Sequence, residues 1–378
     1  MSGRGDFDPR SAVGRLTEAV RERADEIEAG RRLPPDLAAA FADAGLFRLC
    51  VPRSLGGFEA DATALFECIE EMSAADGSAG WCLMIGATTA VLAPLLPESA
   101  AKEIYGSDPT VVTGGVLAPK GKARPVDGGY RVSGRWPFAS GCQHCAWLTG
   151  GCLDGDGSFR MAFFPAADVE IIDTWKVSGL AGTGSHDIAV DDAFVPAERA
   201  IALLTAEPRE RGPLYRFPIF GLLGLSVASV GLGIARAAVD ELTALATKKT
   251  PMMSSQSLAE RSSTQAEVAR ARASLLAARA FMFDEVGKAW ERASGGHDFD
   301  LDQRVRLRLA AVHATRTAAD VVDAMYDLGG GTSIYATSPL QRQFRDVHAV
   351  TQHIVVAPAT YELAGRVLLG VPTDTFML

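Results

Sequence analysis

The hydrophobic pattern changes period twice along the chain. From residue 11 to about 105, apolar positions recur at spacings of three and four, as in "SAVGRLTEAVRERADEIEAGRRLPPDLAAAFADAGLFRL". Pro34–Pro35 opens a second helix in this stretch, since proline fits the first helical turn, where no intrahelical N–H bond is lost. From about 110 to 200 the period drops to two. In "GGYRVSGRW", Tyr130 and Val132 alternate with Arg131 and Ser133, and Asp127-Gly128-Gly129 supplies the turn before them. "AWLTGGCL", "FRMAFFPA", "VEIIDTWKV" and "HDIAVDDAFVP" follow as short runs between Gly and Asp clusters, which predicts a compact antiparallel β-barrel or sandwich. From about 215 the helical period returns in long segments. Val268, Ala271, Leu275, Ala278 and Met282 make one stripe, and Val305, Leu309 and Val312 begin another. Four helices near 217–248, 257–293, 300–327 and 338–370 predict an antiparallel bundle. The expected class is α+β, in three domains: 1–109 helical, 110–213 β-barrel, 214–378 four-helix bundle.

Composition narrows the partners. The chain has 46 acidic against 37 basic residues, a formal charge of −9, which argues against a nucleic-acid partner, because phosphate binding needs a basic face. Two charge-free runs, 79–97 and 217–235, approach transmembrane length. The small residues and prolines inside them (Gly221, Gly224, Gly231, Gly233, Pro94, Pro218) predict buried helices of a large core rather than a membrane partner. The start, "MSGRGDFDPR", has no apolar h-region, and the 6 cysteines lie scattered through the first half. Cytoplasmic location with free thiols is expected.

Most short motifs lead nowhere. "GLGIAR" (231–236) has two glycines of a dinucleotide fingerprint but no third and no preceding strand. "GGVLAPKGK" (114–122) has the wrong spacing for a P-loop. "CQHC" (142–145), with Cys152 nearby, is too crowded for a zinc site and lacks the helix start of a redox pair, so free thiols and no metal are expected. His297 and His313 read as structural or solvated, and the role of His186, after Ser185 in a turn, is open. Two segments remain. "GRWPFASG" (134–141) offers Trp136 and Phe138 as a flat aromatic wall, Ala139 and Gly141 as close-approach backbone and Ser140 as a hydroxyl. That set suits an isoalloxazine ring, and equally an ordinary strand-end bulge. "RDVHAVTQHIVV" (345–356) places His353 before an apolar run near the end of the last helix: a core histidine, or the acid–base group of an apolar pocket.

"GRWPFASG", "GLAGTGSHDIAVDDAFVP" (179–196), "LGGGTSIYATSPLQRQFRDVHAVTQH" (328–353) and "RRLPPDLAAAFADAGLFRLCVPRSLGGFEAD" (31–61) resemble the acyl-CoA dehydrogenase superfamily, and within it the flavin-dependent monooxygenases that serve as oxygenase components of two-component hydroxylases. The resemblance covers nearly the whole chain in the order helices, barrel, bundle. In most acyl-CoA dehydrogenases a glutamate base stands eight positions after the Asp of an Arg-Asp pair. Here that pair is Arg345-Asp346 and the position holds Ile354, preceded by His353. A dehydrogenase or oxidase would need a relocated carboxylate, with Glu241 and Glu267 as candidates. A non-catalytic protein of the same fold is the third alternative.

The resemblance implies a reduced-flavin-dependent monooxygenase. Reduced FMN or FAD, delivered by a separate NAD(P)H:flavin reductase, would meet molecular oxygen as co-substrate. The resulting C4a-hydroperoxyflavin would hydroxylate or N-oxygenate a small aromatic, polyketide or amine substrate. Ser140 would bond flavin N5, and His353 would deprotonate the substrate or stabilise developing charge, its ordinary pKa of about 6.5 suiting either job. By position, Thr113, Arg261 and Gly331 would reach the flavin's ring, phosphate and tail, with Arg261 acting across a homotetramer interface or merely solvated on a helix face. Phenol hydroxylases of this group commonly carry a further histidine eight residues beyond the Trp of the "GW" segment. Here Trp81 is followed at that distance by Thr89. Trp81, Thr89 and Trp175 are the expected substrate-pocket residues, Trp81 serving as well for plain core.

Overall fold

The computed structural model describes residues 7–378. The first helical region breaks into short pieces, α1 (Pro9–Gly14), α2 (Thr17–Glu22), α3 (Ala24–Gly30) and α4 (Pro35–Asp43). Longer helices follow, α5 (Ala62–Ala75) and α6 (Gly77–Thr88), then the single turn α7 (Glu98–Ala101). Asp8 caps α1 by accepting from the backbone N–H groups of Arg10 and Ser11, and prolines sit at the first turns of α1 and α4, where the ring costs no hydrogen bond.

The middle of the chain supplies seven strands: β1 (Thr113–Val126), β2 (Gly129–Ala139), β3 (Trp147–Asp154), β4 (Phe159–Pro165), β5 (Glu170–Ile172), β6 (His186–Pro196) and β7 (Ala200–Ala202). They form one sheet in the order β5-β6-β2-β1-β3-β4-β7. The central β-structure is there, but the expectation of a wholly antiparallel barrel needs correcting: β1 and β3 pair in parallel, Thr113 opposite Trp147 and Gly114 opposite Leu148. β2 runs back along β1, Val126 opposite Gly129 and Lys122 opposite Ser133. The segment 140–146 then steps past β1, so β3 sets out in β1's direction. Alternation along one strand reports which face is buried and carries nothing about strand order.

Trp136 anchors the sheet interior. Its indole is fully buried and donates from Nε1 to the Gly151 carbonyl at 2.7 Å. Glycines make its room: a Cβ added at Gly121, Gly134 or Gly150 would stand 2.4, 2.8 or 2.6 Å from the ring. Two residues on, strand alternation would put Phe138 on the same face. Instead the register with β6 shifts between Trp136 and Ala139, and Phe138 takes φ +67°. The bulge turns the phenyl ring to the opposite, exposed side (68 %).

The long helices are α9 (Ile219–Lys248), α10 (Ser262–Ser294) and α11 (Leu301–Gly329), with the turn α8 (Pro213–Arg216) ahead of them. A capping box at Asp300 and Gln303 starts α11. The last segment departs from expectation. In place of one helix over 338–370 there are α12 (Pro339–Val350) and α13 (Ala359–Leu368), separated by a 3-10 turn at Ile354–Val356. Pro358 forces Ala357 into extended backbone (ψ 154°), because the residue before a proline avoids the α region.

By contact the described chain falls into two compact units: residues up to Asp61 with Trp81–Val177 and Ala181–Arg216, and Ala62–Gly80 with Ser178–Leu180 and Phe217–Leu378. The apolar windows in Gly77–Leu95 and Ile219–Lys248 are 78% and 83% buried within the protein. In the helical unit, Gly233 of α9 passes so close to α5 that a Cβ there would meet the Glu70 carbonyl at 2.3 Å. Gly233 of the charge-free run thus serves helix packing.

Candidate active site

In the sheet unit, four side chains from three separate stretches meet in a buried polar chain. Trp81 on α6 donates from Nε1 to Ser140 Oγ at 3.0 Å. Ser140 Oγ lies 2.7 Å from Ser185 Oγ, and Ser185 Oγ lies 2.7 Å from Thr183 Oγ1. All four residues are buried. The pairing of β2 with β6 creates this group, since Ala139 sits opposite His186 and so brings each one's serine neighbour alongside the other. The indole N–H can only donate, so it takes one lone pair of Ser140. When protons run from Thr183 through Ser185 to Ser140, the Ser140 hydroxyl keeps its own hydrogen for an acceptor outside the chain.

The surroundings pack closely around that edge. Gly141 has φ +71°, and a Cβ there would stand 2.8 Å from the His144 ring. Trp175 meets the exposed Phe138 edge-to-face at 6.1 Å and 88°. His144 is half-buried and stacked on Phe47 at 5.8 Å, and burial lowers its pKa to about 4. His186 is buried, and its Nδ1 accepts from the Trp175 backbone N–H at 3.3 Å. All six cysteines are free and buried, and burial pushes the Cys142 thiol up to about 11. These thiols are inert core groups. No cluster of His, Cys, Asp or Glu suited to a metal occurs among the described residues.

The second group is built at the helix break in the other unit. His353 follows the last turn of α12 and caps the 3-10 turn, its Nδ1 accepting from the Val355 backbone N–H at 3.4 Å. This long contact favours the neutral tautomer with its proton on Nε2. Burial, and next the Arg308 charge, lower the His353 pKa to about 4. Near pH 7 the ring is therefore neutral and holds its proton at Nε2. Arg308, on α11, is itself fully buried, and burial lowers its pKa to about 10. His348, the other histidine of the same stretch, is tied to Asp323 at 2.8 Å.

The other expected site residues are placed as follows. Thr113 begins β1, buried, and its hydroxyl accepts from Tyr105 at 3.4 Å. Thr89 bonds back to the Ile85 carbonyl at 2.8 Å. Arg261 is half-exposed at the start of α10, and Gly331 is exposed just after α11. Trp136 is corrected: the bulge at Phe138 leaves its indole enclosed in the sheet, bracing β2 and offering no open face. The structure thus unites Trp81 with Ser140 and Phe138 with Trp175. His353, Arg261 and Gly331 belong to the helical unit. Sequence reasoning missed Ser185, Thr183 and Arg308. The run "GTGSH" was a signal for the first two. For the third, Arg308 falls three residues after Val305 and four before Val312, on the buried stripe.

Family models for the acyl-CoA dehydrogenase N-terminal and C-terminal domains match residues 10–103 and 225–358. The indole-3-acetate monooxygenase of Pseudomonas putida is 37% identical over 94% of this chain and 92% of its own. The flavin-dependent monooxygenase oxygenase subunit HsaA of Rhodococcus jostii is 32% identical over 96% of this chain and 98% of its own. The chain belongs to the flavin-dependent monooxygenases of the acyl-CoA dehydrogenase superfamily. Among solved structures, the 3-HSA hydroxylase from Rhodococcus sp. RHA1 superposes with TM-score 0.92 at 30% identity, covering 98% of this chain and 99% of that one. XiaF from Streptomyces sp., solved with FADH2 and glycerol, superposes with TM-score 0.90 at 26% identity, covering 96% and 95%.

Family membership gives the Arg345-Asp346 pair its meaning. Arg345 donates from Nε to Gln341 at 2.7 Å and from Nη1 to the Ser178 carbonyl. Asp346 accepts from the Leu180 N–H at 2.6 Å. The pair clasps residues 178–180 to α12. Eight positions after Asp346, Ile354 is 71% exposed, and it has no proton to exchange. Glu267, one of the carboxylates considered as a relocated base, is paired with Arg270.

Proposed function

We propose that this chain is the oxygenase component of a two-component system. It takes reduced FMN or FAD from a separate reductase and inserts one atom of molecular oxygen into a small aromatic substrate. The observation that carries this reading is the His353–Ile354 pair, where a neutral imidazole stands beside an isoleucine at the position of the dehydrogenase base. The names of the relatives support the aromatic substrate; indole-3-acetate is the compound to try first, and phenols come after it because Thr89 stands where phenol hydroxylases carry a histidine.

The residues of the sheet unit fit a flavin ring. They offer a buried hydroxyl whose proton the Thr183–Ser185 chain can leave free, an aromatic side chain held outward by a positive-φ bulge, and a glycine where a side chain would clash. Bound reduced flavin supplies the activation of oxygen. The protein's own part is to bind and orient. Ser140 donates to the flavin ring edge, with Trp81 fixing the rotation of its hydroxyl. Phe138 and Trp175 would shield the adjoining surface from water, and Ala139 and Gly141 would offer backbone to the ring. Thr113, Arg261 and Gly331 are further flavin contacts in this proposal, and Trp81, Thr89 and Trp175 line the substrate's path. His353 is a hydrogen-bond donor through Nε2. With its pKa near 4 it is a weak base at neutral pH, so stabilising charge is the better supported of its two expected jobs. Exposed apolar side chains at Leu276, Ile334, Tyr335, Leu368 and Leu369 support burial in a homotetramer, and the free thiols suit the cytoplasm.

The test is aerobic turnover of a panel of indoles and phenols, with reduced flavin delivered by an unrelated reductase. Hydroxylated product is expected. Bleaching of bound oxidised flavin by an acyl-CoA, with no hydroxylated product from the panel, contradicts the reading.

A further inference from the structure

Arg308 is a fully buried cation with few partners. Its Nη1 donates to the Phe220 carbonyl at 2.9 Å, and its Nη2 reaches Thr360 Oγ1 at 3.4 Å, a long contact. Its Nε has no hydrogen-bond partner, and no carboxylate lies within ion-pair distance of it among the described residues. Arg304 and Arg306 of α11 also have an Nε without a hydrogen-bond partner, but Arg306 has counter-charges, with Asp302 at 2.8 Å and Glu285 at 3.3 Å. A guanidinium carries five N–H donors. Here the Nε–Nη2 edge, which grips a carboxylate side-on, holds a single weak contact.

The fold makes room for this cation. A Cβ at Gly224 of α9 would stand 2.7 Å from Arg308 Nη1 and 3.6 Å from the Val355 carbonyl, so the glycine leaves the guanidinium its space. Thr360 opens α13 and Val355 lies in the 3-10 turn; the arginine therefore faces the break between α12 and α13. His353 belongs to that same break, and its Nδ1 bonds the Val355 N–H. Burying a charge without a counter-charge costs several kcal/mol. An apolar residue of similar volume would pack the bundle at less cost, so stability does not account for an arginine here.

We propose that Arg308 binds the carboxylate of an aromatic acid substrate, gripping it through the Nε–Nη2 edge beside His353. The substrate class is a small arene bearing a short carboxylate arm, such as an arylacetate. The proposal rests on the oxygenase reading above and sharpens it. Uncharged arenes fit the same chain only weakly, because they leave a buried guanidinium unpaired.

The test compares indole-3-acetate with 3-methylindole, which keeps the ring and loses the carboxylate. Equilibrium binding to the flavin-loaded protein is measured by calorimetry, and oxygenation by KM and kcat. The wild type is expected to bind indole-3-acetate at least 30-fold more tightly. Arg308→Met is expected to raise Kd and KM for indole-3-acetate by about 100-fold, the upper range for hydrogen bonds to a charged group, and to change those for 3-methylindole less than threefold. Arg308→Lys should restore part of the acid's affinity and none of the neutral compound's. The melting temperature of Arg308→Met is expected to match or exceed the wild type, and a fall of more than 5 °C marks a structural tie and overturns the proposal. Equal wild-type affinity for both compounds, no binding of indole-3-acetate, or an equal loss for both in Arg308→Met also overturns it. Tight, Arg308-dependent binding without any oxygenated product leaves the anion site standing and sinks the oxygenase reading. Turnover of both compounds with no preference does the reverse.

Discussion

The two candidate sites are made of opposite materials. In the sheet unit, Trp81, Ser140, Ser185 and Thr183 form a chain of neutral donors and acceptors within 3.0 Å of one another. Each member bonds the next, and only the hydroxyl at the end of the proton run keeps a hydrogen to give away. In the helical unit, Arg308 is charged, buried and short of acceptors, and the imidazole near it is driven neutral. A self-satisfied neutral network can stand ready for a planar, polar-edged cofactor without raising the energy of the empty protein. An under-satisfied cation does raise it, and that cost is recovered only when an anion arrives. The first arrangement suits a group shared by every turnover, the second a group that distinguishes one substrate from another.

Removing the imidazole should produce the largest effect. His353→Ala is expected to lower product formation about 100-fold or more, the usual loss for a single charge-stabilising donor, while flavin affinity, read by fluorescence titration, stays within threefold. An unchanged kcat would make His353 a core residue and break the comparison. Ser140→Ala should act differently: reduced-flavin affinity drops about tenfold, about 1.4 kcal/mol for a lost buried hydrogen bond and its unsatisfied partners, and flavin oxidation runs on without product. Equal flavin binding in Ser140→Ala would remove the sheet unit from the account.

Stability changes rank next. Gly224→Ala pushes a methyl group onto the Arg308 guanidinium and should destabilise the protein by about 1–3 kcal/mol by overpacking, read by urea denaturation. In the Arg308→Met background the same substitution should cost much less. Equal losses in both backgrounds would show that Gly224 serves helix packing alone.

How much of this was legible follows from what periodicity reports. The three-part order of helices, strands and helices was readable, because burial on one face imposes period 3.6 or 2 wherever it occurs. The α12–α13 break was not. "IVVA" continues the apolar run past His353, so the pattern reads as one helix, and Pro358 was the overlooked signal. Alternation puts residues i and i+2 together, so Trp136 and Phe138 read as one wall. A single bulge separates them, and bulges depend on the partner strand. The Ser140–Ser185 contact needs the β2–β6 pairing, which crosses 45 residues of sequence. Arg308 sat in plain view on a buried stripe, where an arginine among Val305 and Val312 is itself the anomaly.

The smallest effect expected is on pH. His353 and His144 both have pKa values lowered to about 4, against about 6.5 unfolded. Between those values the unfolded chain binds protons that the folded chain refuses, so stability rises with pH across the window. Acidification from pH 7 to pH 4.5 should lower the melting temperature, and His353→Asn should flatten part of that slope. The neutral hydroxyl network contributes nothing there, so Ser140→Ala should leave the slope unchanged.

The most direct measurement is the fate of oxygen. The reduced-flavin-loaded protein is mixed with an aromatic acid under 18O2, and the product is weighed by mass spectrometry. The account predicts a product heavier by one 18O atom, with a yield that collapses in His353→Ala. A product whose new oxygen comes from water, or an unaltered arene alongside an acyl-CoA that reduces the oxidised flavin, would contradict it.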